Sequence, residues 1–366
     1  MTGTCVRSDA LSRRGLLGGL GGAVAAGLTL GGCSGHATVG PNGEEQRLNL
    51  YTWDTYTGKT TLADFRGRTG IDVHMSLFGN NDELFAKLRA GNPGFDVIVP
   101  SNEFVTRLRI SDMLLPIDHA KLRNFGNLAP AFQTAPFDPG RRWSIPYTWL
   151  VLGLGYRKSK MDGVPDSWKW VFDSPRYAGK IGLFSEADDL IRLGAKYLGH
   201  SVNHVTPEVT RQVTQMLIRQ KPFVKVFHHD EGQDLLAAGD IDLVVEYNGD
   251  IAQVMADDPD LGFVVPREGT LINSDCLCIP RGAPRPDNAH RFIDFVLDAH
   301  NGAEISRTIR YPTPNAAALA LMPADYRENR AIFPPAAVMA RSEYGDFEGM
   351  RRAQVVDEAV TEIMAT

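Results

Sequence analysis

The sequence lacks the short motifs that mark the commonest catalytic sites. No H-E-x-x-H, G-x-S-x-G or G-x-x-x-x-G-K-[ST] pattern occurs along its 366 residues, so nothing points to a zinc protease, a serine hydrolase or a phosphate-loop enzyme. The densest histidine cluster is the His-His-Asp run at residues 228–230. A metal site there would need a third, distant ligand, and a turn before a helix is the simpler interpretation. We predict no catalytic residue, no metal site and no cofactor.

Cysteine is scarce. Of the four cysteines, Cys276 and Cys278 stand two apart in an apolar segment. Side chains two apart in a strand point the same way, and such thiols rarely bridge, so we expect two small strand residues.

Positive charge is in deficit as well. The formal net charge is −6 over the whole chain. Nucleic-acid binding needs a basic face, so this composition argues against that class of partner. An acidic protein is instead a reasonable partner for cations.

Long apolar runs are missing except for one near the start. Residues 12–33 (SRRGLLGGLGGAVAAGLTLGGC) open with Arg13 and Arg14, and about sixteen small and apolar residues follow, fewer than the roughly 20 of a spanning helix. This pattern predicts a twin-arginine signal peptide over residues 1–32, the alternative being a plain amphipathic or disordered start. The ending Leu-Gly-Gly-Cys resembles a bacterial lipobox, which would make Cys33 the lipidated first residue of the mature protein.

The rest of the chain predicts a short tether and then two α/β halves. Residues 33–46 are polar, glycine-rich and aperiodic, which is typical of a flexible linker. Strand patterns then alternate with amphipathic helices, and Asn81 could cap the second helix, so we predict parallel βαβ units. The predicted strands are residues 48–53, 71–75, 95–100, 180–184, 241–247, 263–266 and 276–280, with later helices near 186–198 and 289–298.

Aromatic and acidic residues gather where these strands end, which is where α/β sheets bind ligands. The segments are residues 51–56, 101–103, 185–189, 246–250 and 273–275. Aromatic rings attract ammonium groups by about 0.5–2 kcal/mol each, and a carboxylate adds about 1.5–3 kcal/mol per charge-assisted hydrogen bond. A cleft so lined suits a cationic, partly apolar ligand. Each residue has an ordinary alternative: Trp53 and Tyr56 as core aromatics, Glu186 and Asp189 as first-turn acids that offset the helix dipole, and Asp275 as a surface residue.

Several segments together resemble the periplasmic spermidine/putrescine-binding proteins of polyamine ABC transporters. The resemblance covers about residues 48–349 and is carried by LNLYTWDTY (48–56), FDVIVPSNEFV (95–105), NFGNL (124–128), SIPYTWLVLGLGY (144–156) and RYPTPNAAA (310–318). It implies an α/β, two-lobed periplasmic-binding-protein fold of type II, in which each lobe is a mixed sheet flanked by helices and the ligand is buried at the hinge. The implied lobes are residues 47–148 with 275–312, and residues 149–274 with 313–366.

The resemblance also implies roles for individual residues. In this family, aromatic walls hold the methylene chain of the ligand and acidic residues hold its nitrogens. The ligand-binding residues implied by position are Trp53, Asp54, Tyr56, Ser101, Glu103, Glu186, Asp189, Tyr247, Asn273, Asp275 and Tyr311.

The chain departs from the family pattern at some of these positions. Tyr247 and Asn273 stand where tryptophans are common, and Glu103 stands where an aromatic residue is usual. Asp54 replaces a neutral hydroxyl residue, and Gly345 lies near the place of a polar amide. Surplus charge at Asp54 and Glu103 predicts a preference for longer polyamines over putrescine, since an unpaired charge in a closed cleft costs on the order of several kcal/mol.

The sequence thus predicts a lipid-anchored, monomeric receptor in the periplasm or on the outer face of the cytoplasmic membrane. It would capture a polyamine and deliver it to the membrane permease of an ABC importer, with no nucleic-acid partner. Two alternatives stay open: a receptor for another cation, such as a modified amino acid or betaine, and a secreted α/β hydrolase or transferase.

Overall fold

The computed structural model describes residues 38–229 and 231–366. The predicted signal peptide with Arg13 and Arg14, the lipidation of Cys33, the first residues of the tether and Asp230 of the His-His-Asp run lie outside the described residues. Within the part that is described, no helix has both the length and the apolar character needed to cross a membrane.

Two sheets organise the described chain. The strands are β1 Arg47–Thr52, β2 Asp72–Leu77, β3 Val97–Ile98, β4 Ile145–Arg157, β5 Ile181–Phe184, β6 Val224–His228, β7 Leu243–Tyr247, β8 Leu261–Val264, β9 Leu271–Leu277 and β10 Glu343–Tyr344. The helices are α1 Thr61–Thr69, α2 Asn81–Arg89, α3 Asn102–Ile110, α4 Lys169–Phe172, α5 Ala187–Tyr197, α6 Pro207–Gln220, α7 Gly232–Ala238, α8 Asn248–Val254, α9 Pro286–Leu297, α10 Ala299–Ile309, α11 Ala316–Ala320, α12 Ala324–Arg327, α13 Ala336–Met339 and α14 Met350–Ala365.

The first sheet confirms the predicted parallel βαβ units. Its strand order is β2-β1-β3, with both neighbours parallel to β1. Leu48 and Leu50 of β1 pack with Phe292 and Ile293 of α9 in one apolar core, because alternate residues of a strand share a face. The expected cap of α2 is wrong by one residue: Asn80, not Asn81, accepts a hydrogen bond from the backbone N–H of Glu83 at 2.8 Å.

The second sheet is mixed and has the order β10-β9-β4-β7-β5-β6, with β8 also paired to β4. Helices α5, α6 and α14 pack against it around Leu183, Leu190 and Leu217. The strand β6 was not expected from the sequence, where only a turn is predicted at its last residue, His228. Its sequence Val-Lys-Val-Phe-His mixes a lysine and a histidine with three apolar residues, and Lys225 is exposed, so neither a continuous apolar run nor a regular alternation marks the strand.

Two strands run from one part of the molecule to the other. Ile145 to Val151 of β4 pair with β9, whereas the residues from Leu152 onward pair with β7 and β8. At its other end β9 is tied to the first sheet through bridges at Asp275 and Cys278. Both cysteines of this region are buried and unbridged, as predicted.

Part of the predicted tether is packed against the fold. The carboxylate of Glu44 accepts hydrogen bonds from the backbone N–H groups of Asp287 and Asn288 at the start of α9, at 3.0 and 2.8 Å. Arg285 forms an ion pair with Glu45 at 2.7 Å. These contacts place a negative charge at a helix N-terminus, where it is stabilising, and they fasten the chain before β1 begins.

Candidate functional site

A cavity of about 310 Å³ lies where the strand ends of the two sheets face one another. Residues after β1 and β3 line one side, and residues after β5 and β7 line the other. The cavity lining includes Trp53, Asp54, Tyr56, Ser101, Glu103, Glu186, Asp189, Tyr247, Asn273, Asp275 and Tyr311. Every residue of the predicted ligand-binding set therefore borders one cavity, and that these residues contact a ligand stays a prediction.

Asp275 forms the most enclosed acidic group of the cavity. Its side chain is 4% exposed, and its two oxygens accept hydrogen bonds from Tyr56 Oη at 2.5 Å and Ser101 Oγ at 2.7 Å. Burial raises the pKa of Asp275 to about 6, against the opposing effect of the two hydroxyl donors. Thr148 supports Tyr56 through a hydroxyl contact of 2.8 Å. Around neutral pH this carboxylate is ionised and is held by neutral groups.

Asp189 forms a second acidic group with a similar construction. Tyr247 Oη donates a hydrogen bond to Asp189 Oδ2 at 2.8 Å, and the amide of Asn273 donates to Tyr247 Oη at 3.4 Å. Burial, with the nearby Asp188 carboxylate, raises the pKa of Asp189 to about 7. Burial and the adjacent carboxylate raise the pKa of Tyr247 well above its ordinary value, so the phenol stays a donor.

A third tyrosine and carboxylate pair closes the cavity wall. Tyr311 Oη donates to Asp250 Oδ2 at 2.5 Å, and the Tyr311 ring meets the Tyr56 ring edge-on at 5.5 Å between centroids. Gly249, at the start of α8, lies directly under the Tyr311 ring, which a Cβ at that position would overlap. The lack of a side chain at this position therefore lets the tyrosine lie flat against the helix end.

Aromatic surface lines the remainder of the wall. Trp53 donates its indole N–H to the backbone oxygen of Val99 at 3.0 Å and packs on Phe78 at 4.4 Å between ring centroids. Tyr247 meets Phe184 edge-on at 5.3 Å. These contacts fix the rings in place, so their faces form a preformed apolar surface beside the carboxylates.

Glu103 does not supply the surplus charge expected from the sequence. Its carboxylate lies 2.8 Å from the guanidinium of Arg192, a residue of α5 that is fully buried. Burial and the neighbouring Asp188 raise the pKa of Glu103 well above its ordinary value, in opposition to Arg192. Asp54 is exposed at the cavity rim, where its carboxylate accepts from the backbone N–H of Thr55 at 2.8 Å. The predicted preference for longer polyamines therefore loses its physical basis.

The charge of the cavity wall has one sign. Among the described residues that line it, eight are carboxylates and none is lysine or arginine: Asp54, Glu103, Glu186, Asp188, Asp189, Asp234, Asp250 and Asp275. Within the described chain, no group of three or more His, Cys, Asp or Glu side chains has the geometry to hold a metal ion. The cavity thus offers several separated carboxylates and aromatic faces, which together suit an extended organic cation.

Some lining residues were not chosen from the sequence. Asp250 and Asp188 lie in strand-end segments that the sequence pattern identified, so the strand-end rule was a usable signal for both. Arg192 was missed because it lies within a helix, and only its spacing of four from Asp188 hints at an ion pair, which the structure has at 2.6 Å. Nothing local marks Phe104 or Gln233 as lining residues.

Known proteins resemble this chain over most of its length. The model of a family described as bacterial extracellular solute-binding protein matches residues 60–334. A putrescine/cadaverine-binding protein from Pseudomonas aeruginosa is 31% identical over 330 residues, which cover 87% of this chain and 93% of the relative. The spermidine/putrescine-binding periplasmic protein of Escherichia coli is 30% identical over 323 residues, covering 87% and 90%.

A solved structure shows the same architecture. The spermidine/putrescine ABC transporter substrate-binding protein PotD from Streptococcus pneumoniae superposes with a TM-score of 0.78 at 27% identity, covering 88% of this chain and 99% of its own. The predicted resemblance and the predicted two-lobed α/β fold are thereby confirmed.

Proposed function

We propose, since this chain belongs to the bacterial extracellular solute-binding protein family, that its cavity captures a polyamine for delivery to an ABC importer. The family consists of binding proteins, so the chain is not an enzyme. The relatives named above carry putrescine, cadaverine or spermidine in their names. Those names support the ligand class, and the cavity supports it independently.

The observation that carries the proposal is a pair of aspartates in the cavity, Asp275 buried and Asp189 partly buried, whose carboxylates accept hydrogen bonds from neutral hydroxyl groups. Asp275 is held by Tyr56 and Ser101, and Asp189 is held by Tyr247. A carboxylate kept in a buried cavity without a cation is costly, so such a site binds a cation that pairs with it. Two such carboxylates, one on β9 and one in the first turn of α5, with aromatic faces nearby, match a chain that carries an ammonium at each end.

Calorimetric titration tests the ligand class directly. Putrescine, cadaverine, spermidine and spermine should bind, whereas succinate, a dianion of similar length, should not. Asp275→Ala should weaken polyamine binding by roughly 2–4 kcal/mol, because one ammonium would lose its buried counter-charge. Asp325→Ala is the matched control, since that aspartate is exposed on α12 and does not line the cavity. Equal affinity of the Asp275 variant and the wild type would contradict the proposal.

A second proposal concerns export and anchoring. The arginine pair and the Leu-Gly-Gly-Cys ending support a twin-arginine lipoprotein, with Cys33 lipidated and the folded part held as a monomer outside the cytoplasmic membrane. Cys33→Ser should move the protein from the membrane fraction to the soluble exported fraction, and Arg13→Lys with Arg14→Lys should block export. A protein that fractionates identically with Ser at position 33 would exclude the anchor.

The division into lobes is also proposed here. We place residues 47–148 and 275–312 in lobe 1, and residues 149–274 and 313–366 in lobe 2. The partner change along β4 at Val151 and Leu152 supports a crossing near this boundary. Closure of the lobes about β4 and β9 would bury the ligand and give the permease a distinct state to recognise.

A further inference from the structure

Two departures from the family pattern lie side by side in the structure. Glu103 stands at the start of α3 in lobe 1, and Gly345 lies far along the chain in lobe 2. A Cβ at Gly345 would lie 2.8 Å from Glu103 Oε1, closer than real Cβ contacts come. The Glu103 carboxylate therefore occupies space that a side chain at position 345 would fill.

Arg192 fixes this carboxylate to lobe 2. Its guanidinium is fully buried and contacts Glu103 at 2.8 Å and Asp188 at 2.6 Å. It also donates hydrogen bonds to the backbone oxygens of Val202 at 2.7 Å and Asp346 at 2.6 Å. The side-chain oxygen of Asn203 accepts a further hydrogen bond from Arg192 at 2.9 Å. All of these contacts except the one with Glu103 stay within lobe 2. Glu103 is thus the contact that Arg192 makes across the cleft.

Two further residues of α3 also contact lobe 2. Asn102 donates its side-chain amide to the backbone oxygen of Gly345 at 2.7 Å. The guanidinium of Arg107 lies 5.7 Å from the centroid of the Phe347 ring. Segment 345–348, defined here as the strap, therefore meets one face of α3 through an ion-pair cluster, an amide and a ring.

We propose that Glu103 is a positioning residue that holds the two lobes closed through Arg192 and the strap, in place of the ligand contact that the sequence suggested for it. The inference rests on the proposed function for its ligand. It would set how long a bound polyamine stays rather than which polyamine binds.

The contact survives a change in the protonation of Glu103. When ionised, the carboxylate pairs with Arg192; when protonated, it donates a hydrogen bond to Asp188. Arg352 and Glu348 complete the group, with Arg352 Nε 2.6 Å from Glu348. Since glutamine would preserve much of the contact, Glu103→Ala is the variant that removes it in either state.

The control is Glu358→Ala. Glu358 is an exposed carboxylate of α14 in lobe 2 that accepts a hydrogen bond from Gln354, outside the strap and the Arg192 cluster, so its loss removes a carboxylate without removing a contact between lobes. Small-angle scattering of the ligand-free proteins should show a larger radius of gyration for the Glu103 variant than for the wild type or the control. Identical radii for the wild type and the Glu103 variant would overturn the proposal, even if no polyamine bound to any of them.

Dissociation kinetics separate positioning from ligand contact. Stopped-flow release of putrescine, cadaverine and spermidine should be faster in Glu103→Ala by about tenfold, and by the same factor for all three, while Glu358→Ala stays within about twofold of the wild type. A factor that grows with the number of ammonium groups would show that Glu103 touches ligand, and would overturn the proposal. Failure of the wild type to bind any polyamine would count against the proposed function. The contact between Glu103 and Arg192 would then be tested by the scattering measurement alone.

Gly345→Ala provides an independent variant with no change in charge. The new Cβ displaces the Glu103 carboxylate, so the single substitution should speed the release of polyamines. In the Glu103→Ala background the same substitution should have no further effect, because the displaced group is already gone. Additive effects of the two substitutions would contradict the mechanism.

Discussion

Asp189 and Asp275 retain protons at pH values where exposed aspartates have lost theirs. Burial raises the pKa of Asp189 to about 7 and that of Asp275 to about 6. A dicationic ligand pairs with the ionised forms, so binding must release these protons at mildly acidic pH. We expect putrescine affinity to rise from pH 5 to pH 7 and to level off above it. Titrations in two buffers of different ionisation enthalpy would reveal the protons released, and an affinity that is constant from pH 5 to pH 8 would contradict this.

The same raised pKa values govern the stability of the ligand-free protein. A folded-state pKa above the unfolded value means that the native state binds more protons between about pH 4 and pH 7, so stability falls as pH rises through that window. Asp189→Asn should therefore stabilise the ligand-free protein by about 1–2 kcal/mol at pH 8 and have little effect at pH 4, while it weakens binding. Urea unfolding at both pH values checks this. A loss of stability at pH 8 would show that the charge itself supports the fold.

At the scale of single elements, β4 depends on its glycines. A Cβ at Gly153 would overlap the Phe263 ring of β8 and lie 2.8 Å from the backbone oxygen of Val264. Gly153→Ala should therefore destabilise the protein by about 1–3 kcal/mol through overpacking. Gly67→Ala is the control, because Gly67 lies within α1 with open space around it and alanine favours helix by about 0.5–1 kcal/mol. Denaturant midpoints that move in the same direction for both variants would contradict this account.

A feature of the structure can be predicted from the sequence when the residues that cause it lie close together along the chain. The alternation of strands and helices from β1 to β3 follows from hydrophobic periodicity, and that part was predicted correctly. The position of carboxylates at strand ends was also readable, since strand ends can be located along the chain. The partnership of Glu103 with Arg192 was not, because it joins α3 to α5, two helices that lie far apart along the chain. Only the tertiary structure brings these two residues within 2.8 Å.

At the scale of the whole molecule, a ligand bound as proposed would contact groups from both proposed lobes. A ligand that binds only the folded state stabilises it by about 2.7 kcal/mol at a hundred times its dissociation constant. Putrescine at that excess should raise the thermal midpoint accordingly, and Asp325→Ala should respond in the same way. Succinate at equal concentration should leave the midpoint unchanged. A similar shift with succinate would point to a general salt effect rather than to occupation of the cavity.

The acidic group at Asp275 lies on β9, one of the two strands that cross the proposed lobe boundary. With ligand binding at Asp275 and closure about β9 as proposed, recognition and pivot are built from a single piece of backbone. Anyone who converts this protein into a sensor for a different amine will find that substitutions on β9 alter signal amplitude together with selectivity. Glu186 and Asp54 border the same cavity from outside the shared strands. They are the positions at which selectivity can be redesigned while the motion that generates the signal is left intact.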